Sequence, residues 1–211
     1  MEKFELFETL PEGFRIATKD DLPLVTLTLA QAFTDYKYPI PSINIPYTAL
    51  LRFYYEISET CALNAMKNGV VLTNEDYSAV LLVTQYGLRA DYGLDSLYNN
   101  LKNNAGVEAA KNVVELLGYV CDEEEKLHMN DEDMFVDMFA VQTPRQGQKL
   151  GSKLMRELFR QCEEKHKNVF LYTNTEKNRS IYNHFGFETI KTIHNDKLQS
   201  DTYYLLWKPS K

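Results

Sequence analysis

Chemistry in this chain first suggests itself at Pro144 to Met155, PRQGQKLGSKLM, entered from the apolar run MFVDMFAV. An apolar run, a glycine-containing turn and an amphipathic pattern together read as strand, turn and helix. A helix start leaves four backbone N–H groups without helical partners, and the macrodipole adds partial positive charge there. A loop that wraps tightly into such a start gathers those N–H groups around one anion. Gly147 and Gly151 would let a ligand come close to the backbone. The stretch lacks GxxxxGK followed by Ser or Thr, so it is not a P-loop, and it lacks GxGxxG, so it is not a dinucleotide fingerprint. On turn chemistry alone, an ordinary helix start fits as well as an anion site. Lys149 is expected in the first helical turn, where φ is negative and lysine is tolerated. Lys149, Lys153 and Arg156 would then share one helix face.

The turn does not stand alone. Val141 to Ser152, with Gln146, Gly147 and Gly151, is followed downstream by NRSIYNHFGFE, Asn178 to Glu188. The pair resembles the GNAT superfamily of N-acetyltransferases. That family's coenzyme A signature is Gln or Arg, two residues, Gly, one residue, then Gly or Ala. The register Gln146 to Gly151 matches at both ends and departs at Lys149, where the family has glycine. The second block is similar to the family's NxxxYxxxGF ending.

The resemblance implies roles residue by residue. Backbone N–H groups of Gln146, Gly147, Gln148, Lys149, Gly151 and Ser152 would hold the coenzyme A pyrophosphate. Phe139 to Val141 would run beside the pantetheine arm. This strand would splay from the one ending at Thr173, which opens a V for the thioester. Asn178 would bond the pantetheine amide; as a favoured cap residue it also suits the start of a short helix. Tyr182 would return a proton to the departing thiolate; it also suits plain packing against the sheet. A phenol of pKa about 10 is a workable acid for a thiolate of about 8.5. Asp137 is the candidate base, or else a rim charge or ion pair. Strand alternation puts it on one face with Phe135 and Phe139. Acetyl-CoA is the implied co-substrate, with no metal, and the acceptor is a small-molecule or peptide amine. Lys149 motivates the alternative, a non-catalytic acyl-CoA-binding or regulatory module.

Composition narrows the rest. The chain has 211 residues, 44% of them hydrophobic, with 14 Tyr and 11 Phe, which suits one well-cored domain. A net charge of −7 disfavours a nucleic-acid surface. Much of the acid lies between Asp122 and Asp137, eight carboxylates against Lys126, which reads as a solvated loop in preference to a cation-attracting rim. Cys61, Cys121 and Cys162 are few and widely spaced, so they read as free thiols in a reducing cytoplasm. No apolar stretch suggests a membrane segment. A monomer or homodimer is expected.

The periodicities order the elements as β-α-α-β-β-(α)-β-α-β-α-β-β. This is an α/β (α+β) domain spanning 1–211, with a mixed, mostly antiparallel sheet of about seven strands flanked by helices. A helical insertion at about 95–130 precedes the fourth strand. The aromatic-rich loop and second helix (Tyr36, Tyr38, Tyr47, Phe53, Tyr54, Tyr55) would line an acceptor pocket, or else pack as core.

Overall fold

The protein is described here from a computed structural model, which describes residues 7, 9–34, 47–89, 94–196 and 199–210. Tyr36 and Tyr38, and the side chain of Tyr47, lie outside the described residues.

Seven strands form one sheet in the order β1-β2-β3-β4-β5-β7-β6. They are β1 (Phe14–Ile16), β2 (Gly69–Asn74), β3 (Ala79–Gln85), β4 (Met134–Val141), β5 (Val169–Thr173), β6 (Glu188–Asn195) and β7 (Ser200–Trp207). Every neighbouring pair is antiparallel except β4 and β5. The helices are α1 (Leu22–Thr34), α2 (Tyr47–Asn68), α3 (Leu94–Ala105), α4 (Val107–Glu125), α5 (Leu150–Glu164) and α6 (Glu176–His184). The mixed sheet and its flanking helices match the architecture expected from the sequence.

Local sequence explains the layers. Ala79 to Val83 are all buried, because β3 lies mid-sheet with both faces covered. One face, carrying Leu72, Leu81 and Val83, packs on Leu154, Leu158 and Cys162 of α5. Those three recur every fourth residue, so one stripe of α5 enters the core while Lys153 and Arg156 face solvent. The opposite face, carrying Val71, Val80 and Leu82, packs on Val25 and Leu29 of α1 and on Cys61, Ala62 and Ala65 of α2. The entry to α1 is fixed by Asp21, which takes two 2.7 Å bonds from the Arg15 guanidinium and one from the Thr18 N–H. The Arg15 charge and these donors hold the Asp21 carboxyl well below the usual carboxylate range.

The helical insertion is well packed. α3 and α4 form a hairpin whose Leu101, Ala110 and Val113 join Phe53 and Tyr54 of α2. Farther along α4, Leu116 and Val120 pack on Phe135, Phe170 and Tyr204, which belong to β4, β5 and β7. α4 therefore bridges both halves of the sheet. The Tyr204 hydroxyl donates to the Val120 carbonyl at 2.8 Å, and Lys191 of β6 reaches Glu123 at 2.6 Å. Arg89, just past β3, pairs with the buried Glu124 and stacks 3.7 Å above the Phe135 ring. Burial pushes the Glu124 carboxyl up, and the Arg89 charge opposes it.

The acidic tract is accordingly not a solvated loop. Asp122 to Glu125 close α4, Glu124 and Asp133 are buried, and Asp137 lies within β4. Asp133 accepts from the Asn168 backbone and side-chain nitrogens at 3.1 and 3.0 Å, which ties the entries of β4 and β5 together.

Candidate active site

β4 and β5 share only two rungs, Met134 with Val169 and Phe135 with Phe170. Past these the ladder stops, although β4 continues to Val141 and β5 to Thr173. The parting coincides with a bulge in β4. Leu82 pairs with Met138 and Val83 with Val136, so Asp137 is the extra residue between them. A bulge bends and twists its strand locally.

That bulge corrects the expected facing of Asp137. Met134 and Val136 lie on the α5 side before it, and Phe139 and Val141 lie on the same side after it. Phe135 packs with Tyr204, and Met138 and Ala140 pack with α1 and α2. Phe135 and Phe139 thus share no face, because the inserted residue shifts the alternation by one. The Asp137 carboxylate accepts from the Thr84 hydroxyl at 2.6 Å and lines a cavity of about 300 Å³ in the opening.

The cavity collects many of the expected residues. Phe139, Val141, Gln146, Thr173, Asn178 and Tyr182 all border it. Asn178 does not cap α6: Thr175 does, with its hydroxyl accepting from the Asn178 N–H at 3.2 Å. Asn178 and Tyr182 stand one helical turn apart, so both present to the same space. The Tyr182 ring is set edge-on to Phe187, centroids 5.7 Å apart.

The turn beside Gln146 is braced from several directions. Gln142 donates its N–H to the Ser78 carbonyl at 2.8 Å, and Arg145 pairs with Asp76 at 3.0 Å. Gln146, expected among the N–H donors, gives its N–H to Thr143 and its side-chain amide to Val141, each at 3.2 Å. It ties the turn to the strand end. The first backbone bond of α5 runs from Lys153 N to Lys149 O at 3.0 Å, so Leu150, Gly151 and Ser152 precede it with their N–H groups. Gly147 has φ +81° and open space where a side chain would stand.

One expectation about the turn is corrected. Lys149 is not in the first helical turn: it precedes α5 with φ 62° and ψ 12°, a left-handed conformation. Its ammonium therefore does not share a helix face with Lys153 and Arg156. Gly151 is also required by packing, since a Cβ there would lie 2.7 Å from Phe139 Cζ and 3.2 Å from Val141 Cγ2. The left-handed geometry costs a side-chain-bearing residue about 1–2 kcal/mol. Glycine would recover that while losing about 0.5–1 kcal/mol to its freer unfolded chain. Lys149→Gly is thus expected to leave thermal stability equal or raised, by up to about 1.5 kcal/mol. Its coenzyme A affinity, by calorimetry, should stay within about tenfold. A melting temperature lowered by several degrees would mean that the lysine side chain itself holds the turn.

Other lining residues were not expected: Cys61, Ile57, Leu116 and, every fourth residue along α4, Val113, Leu117 and Cys121. That spacing is readable in sequence, but nothing in it points to the cavity. Burial pushes the Cys61 thiol far up, with the Asp137 charge adding to it, and burial also raises Cys121. Among the described residues no cluster of His, Cys, Asp or Glu could hold a metal ion, and no helix is long and apolar enough to cross a membrane.

Residues 105–189 match the family model described as "Acetyltransferase (GNAT) domain". No curated protein matches the sequence. Among solved structures, one described as histone acetyltransferase HPA2 and related acetyltransferase from Corynebacterium glutamicum superposes with a TM-score of 0.61 at 17% identity, covering 94% of this chain and 96% of that one. Arylalkylamine N-acetyltransferase 2 from Aedes aegypti gives 0.61 at 15% identity, covering 93% and 98%. A mosquito arylalkylamine N-acetyltransferase like 5b gives 0.59 at 14%, covering 92% and 98%. These similarities are of fold.

Proposed function

We propose that this chain, which carries a GNAT acetyltransferase domain and has the fold of such enzymes, moves an acetyl group from acetyl-CoA to a primary amine by direct attack within a ternary complex. The observation that carries the reading is one continuous cavity. It is bordered on one side by the end of β4, Gln146, Asn178 and Tyr182 and on another by residues of α2 and α4, and Asp137 is part of the same lining. Coenzyme A suits the first half. Its pyrophosphate is an anion for the N–H groups of Gly147, Gln148, Lys149, Gly151 and Ser152. Its pantetheine amides need partners of the kind offered by Phe139, Val141, Thr173 and Asn178. When bound, it supplies an activated acyl carbon and a thiolate leaving group. Nitrogen acceptors also accord with the arylalkylamine N-acetyltransferases named among the structural neighbours.

The chain's own groups divide the proton transfers. Asp137 takes a proton from the ammonium, and the amine forms its N–C bond as the C–S bond breaks. Tyr182 gives its proton to the sulfur and regains one from the second proton that leaves the nitrogen, while the proton on Asp137 passes to solvent. A covalent route through a cysteine is disfavoured, because Cys61 and Cys121 are held as thiols by burial and the thiolate is the nucleophile. The test is incubation with acetyl-CoA and a panel of amines, with free thiol as the readout. Thiol release that depends on an amine is expected. Acetyl-CoA binding by calorimetry with no thiol released on any amine would replace this reading with the non-catalytic acyl-CoA-binding one.

A further inference from the structure

The half of the cavity bordered by α2 and α4 has a chemistry of its own. Phe53, Tyr54 and Ile57 of α2 line it together with Val113, Leu116 and Leu117 of α4. Among the described residues that line the cavity, Asp137 is the only charged one. A second ammonium buried among these walls would lose hydration with no carboxylate to replace it. A peptide backbone would bring more amides than these mostly apolar walls, whose polar groups on α2 are the Tyr54 and Thr60 hydroxyls, can satisfy. The volume, about 300 Å³ for both halves together, lies at the small end of ligand sites. The α4 wall is also preset. Glu124 with Arg89, Glu123 with Lys191, and the Val120 carbonyl with the Tyr204 hydroxyl anchor it to both halves of the sheet. A wall ordered before binding costs a ligand less to engage.

We infer that the acceptor is a small amine with one cationic head and an aromatic or aliphatic body, seated between α2 and α4 with its head at Asp137, and that Leu117 sets this preference. The inference rests on the acetyl-transfer reading for its reaction but not for its binding. The experiment therefore measures binding and turnover separately. 2-Phenylethylamine and spermidine are titrated by calorimetry into the protein with and without coenzyme A, for the wild type and for Leu117→Glu. Leu117 is only partly buried, so a polar replacement is tolerable there; Leu117→Gln, with circular dichroism for each variant, covers a failure to fold. The wild type is expected to bind 2-phenylethylamine at least about tenfold more tightly than spermidine. Leu117→Glu should weaken 2-phenylethylamine about tenfold or more, narrow the gap to spermidine, and leave coenzyme A affinity within about twofold. Spermidine binding equally or more tightly, binding of neither amine, or an unchanged preference in both variants would overturn the inference. The thiol assay on the same samples separates the two claims. 2-Phenylethylamine that binds without thiol release sustains the pocket and defeats acetyl transfer. Thiol release that favours spermidine sustains acetyl transfer and defeats the pocket.

Discussion

Replacing Asp137 by asparagine is expected to lower kcat by roughly 10²–10⁴-fold, the range of a positioned general base. The asparagine carbonyl can still accept from the Thr84 hydroxyl, so the bulge and its hydrogen bond are kept. Acetyl-CoA affinity should not change. What separates a base from a merely structural acid is the pH profile. An alkyl ammonium has a pKa of about 10, so raising the pH toward that value supplies free amine without help from the protein. The deficit of Asp137→Asn should therefore shrink as pH rises from 7 to about 9.5. A deficit that stays constant across that range, or one that comes with lost thermal stability, would remove Asp137 from the proton path.

Tyr182→Phe is the complementary test and carries the second large effect. The ring contact with Phe187 survives the substitution, so packing and acetyl-CoA affinity should hold. The substitution removes the hydroxyl, the proposed proton donor. The expected fall in kcat is about 10²-fold or more, with little change in KM for either substrate. An unchanged kcat would leave Tyr182 as a packing residue. Combining the two substitutions should give less than the product of their single effects, because both serve one transfer of proton and acyl group.

Much of the frame was legible beforehand, and the reasons are local. The fourfold spacing of Leu154, Leu158 and Cys162 defines the buried stripe of α5. The Val- and Leu-rich runs of β2 and β3 make a hairpin at the place expected. Tyr182 and Asn178 reach one cavity because a four-residue spacing has that meaning on any helix. What stayed hidden depends on partners distant in sequence. Glu124 looks like one acid in a charged run; only Arg89 and a buried position make it a structural anion. Asp133 gains its place from Asn168. The facing of Asp137 depends on a register shift against β3, and register is a property of two strands. The conformation of Lys149 is set by how the turn closes on α5, which residue identity alone does not announce. The lining role of α4 shows the same limit, since its periodic face was visible but not the surface it meets.

The bulge in β4 also has a bearing on how this strand can vary over generations. Both faces of β4 are apolar, with Phe139 and Val141 on one and Met138 and Ala140 on the other. A deletion at position 137 would restore plain alternation and a regular ladder with β3. Met138 and Ala140 would keep their partners in β3 and their side of the sheet, and Phe139 and Val141 theirs. The fold has little reason to retain the extra residue, because a strand without it would pair better. The carboxylate beside the cavity does need it, since it lies in the inserted position itself. The irregularity therefore belongs to the site rather than to the scaffold. Point substitutions along β4 can tune packing freely, whereas a change in its length alters what the strand offers to a ligand.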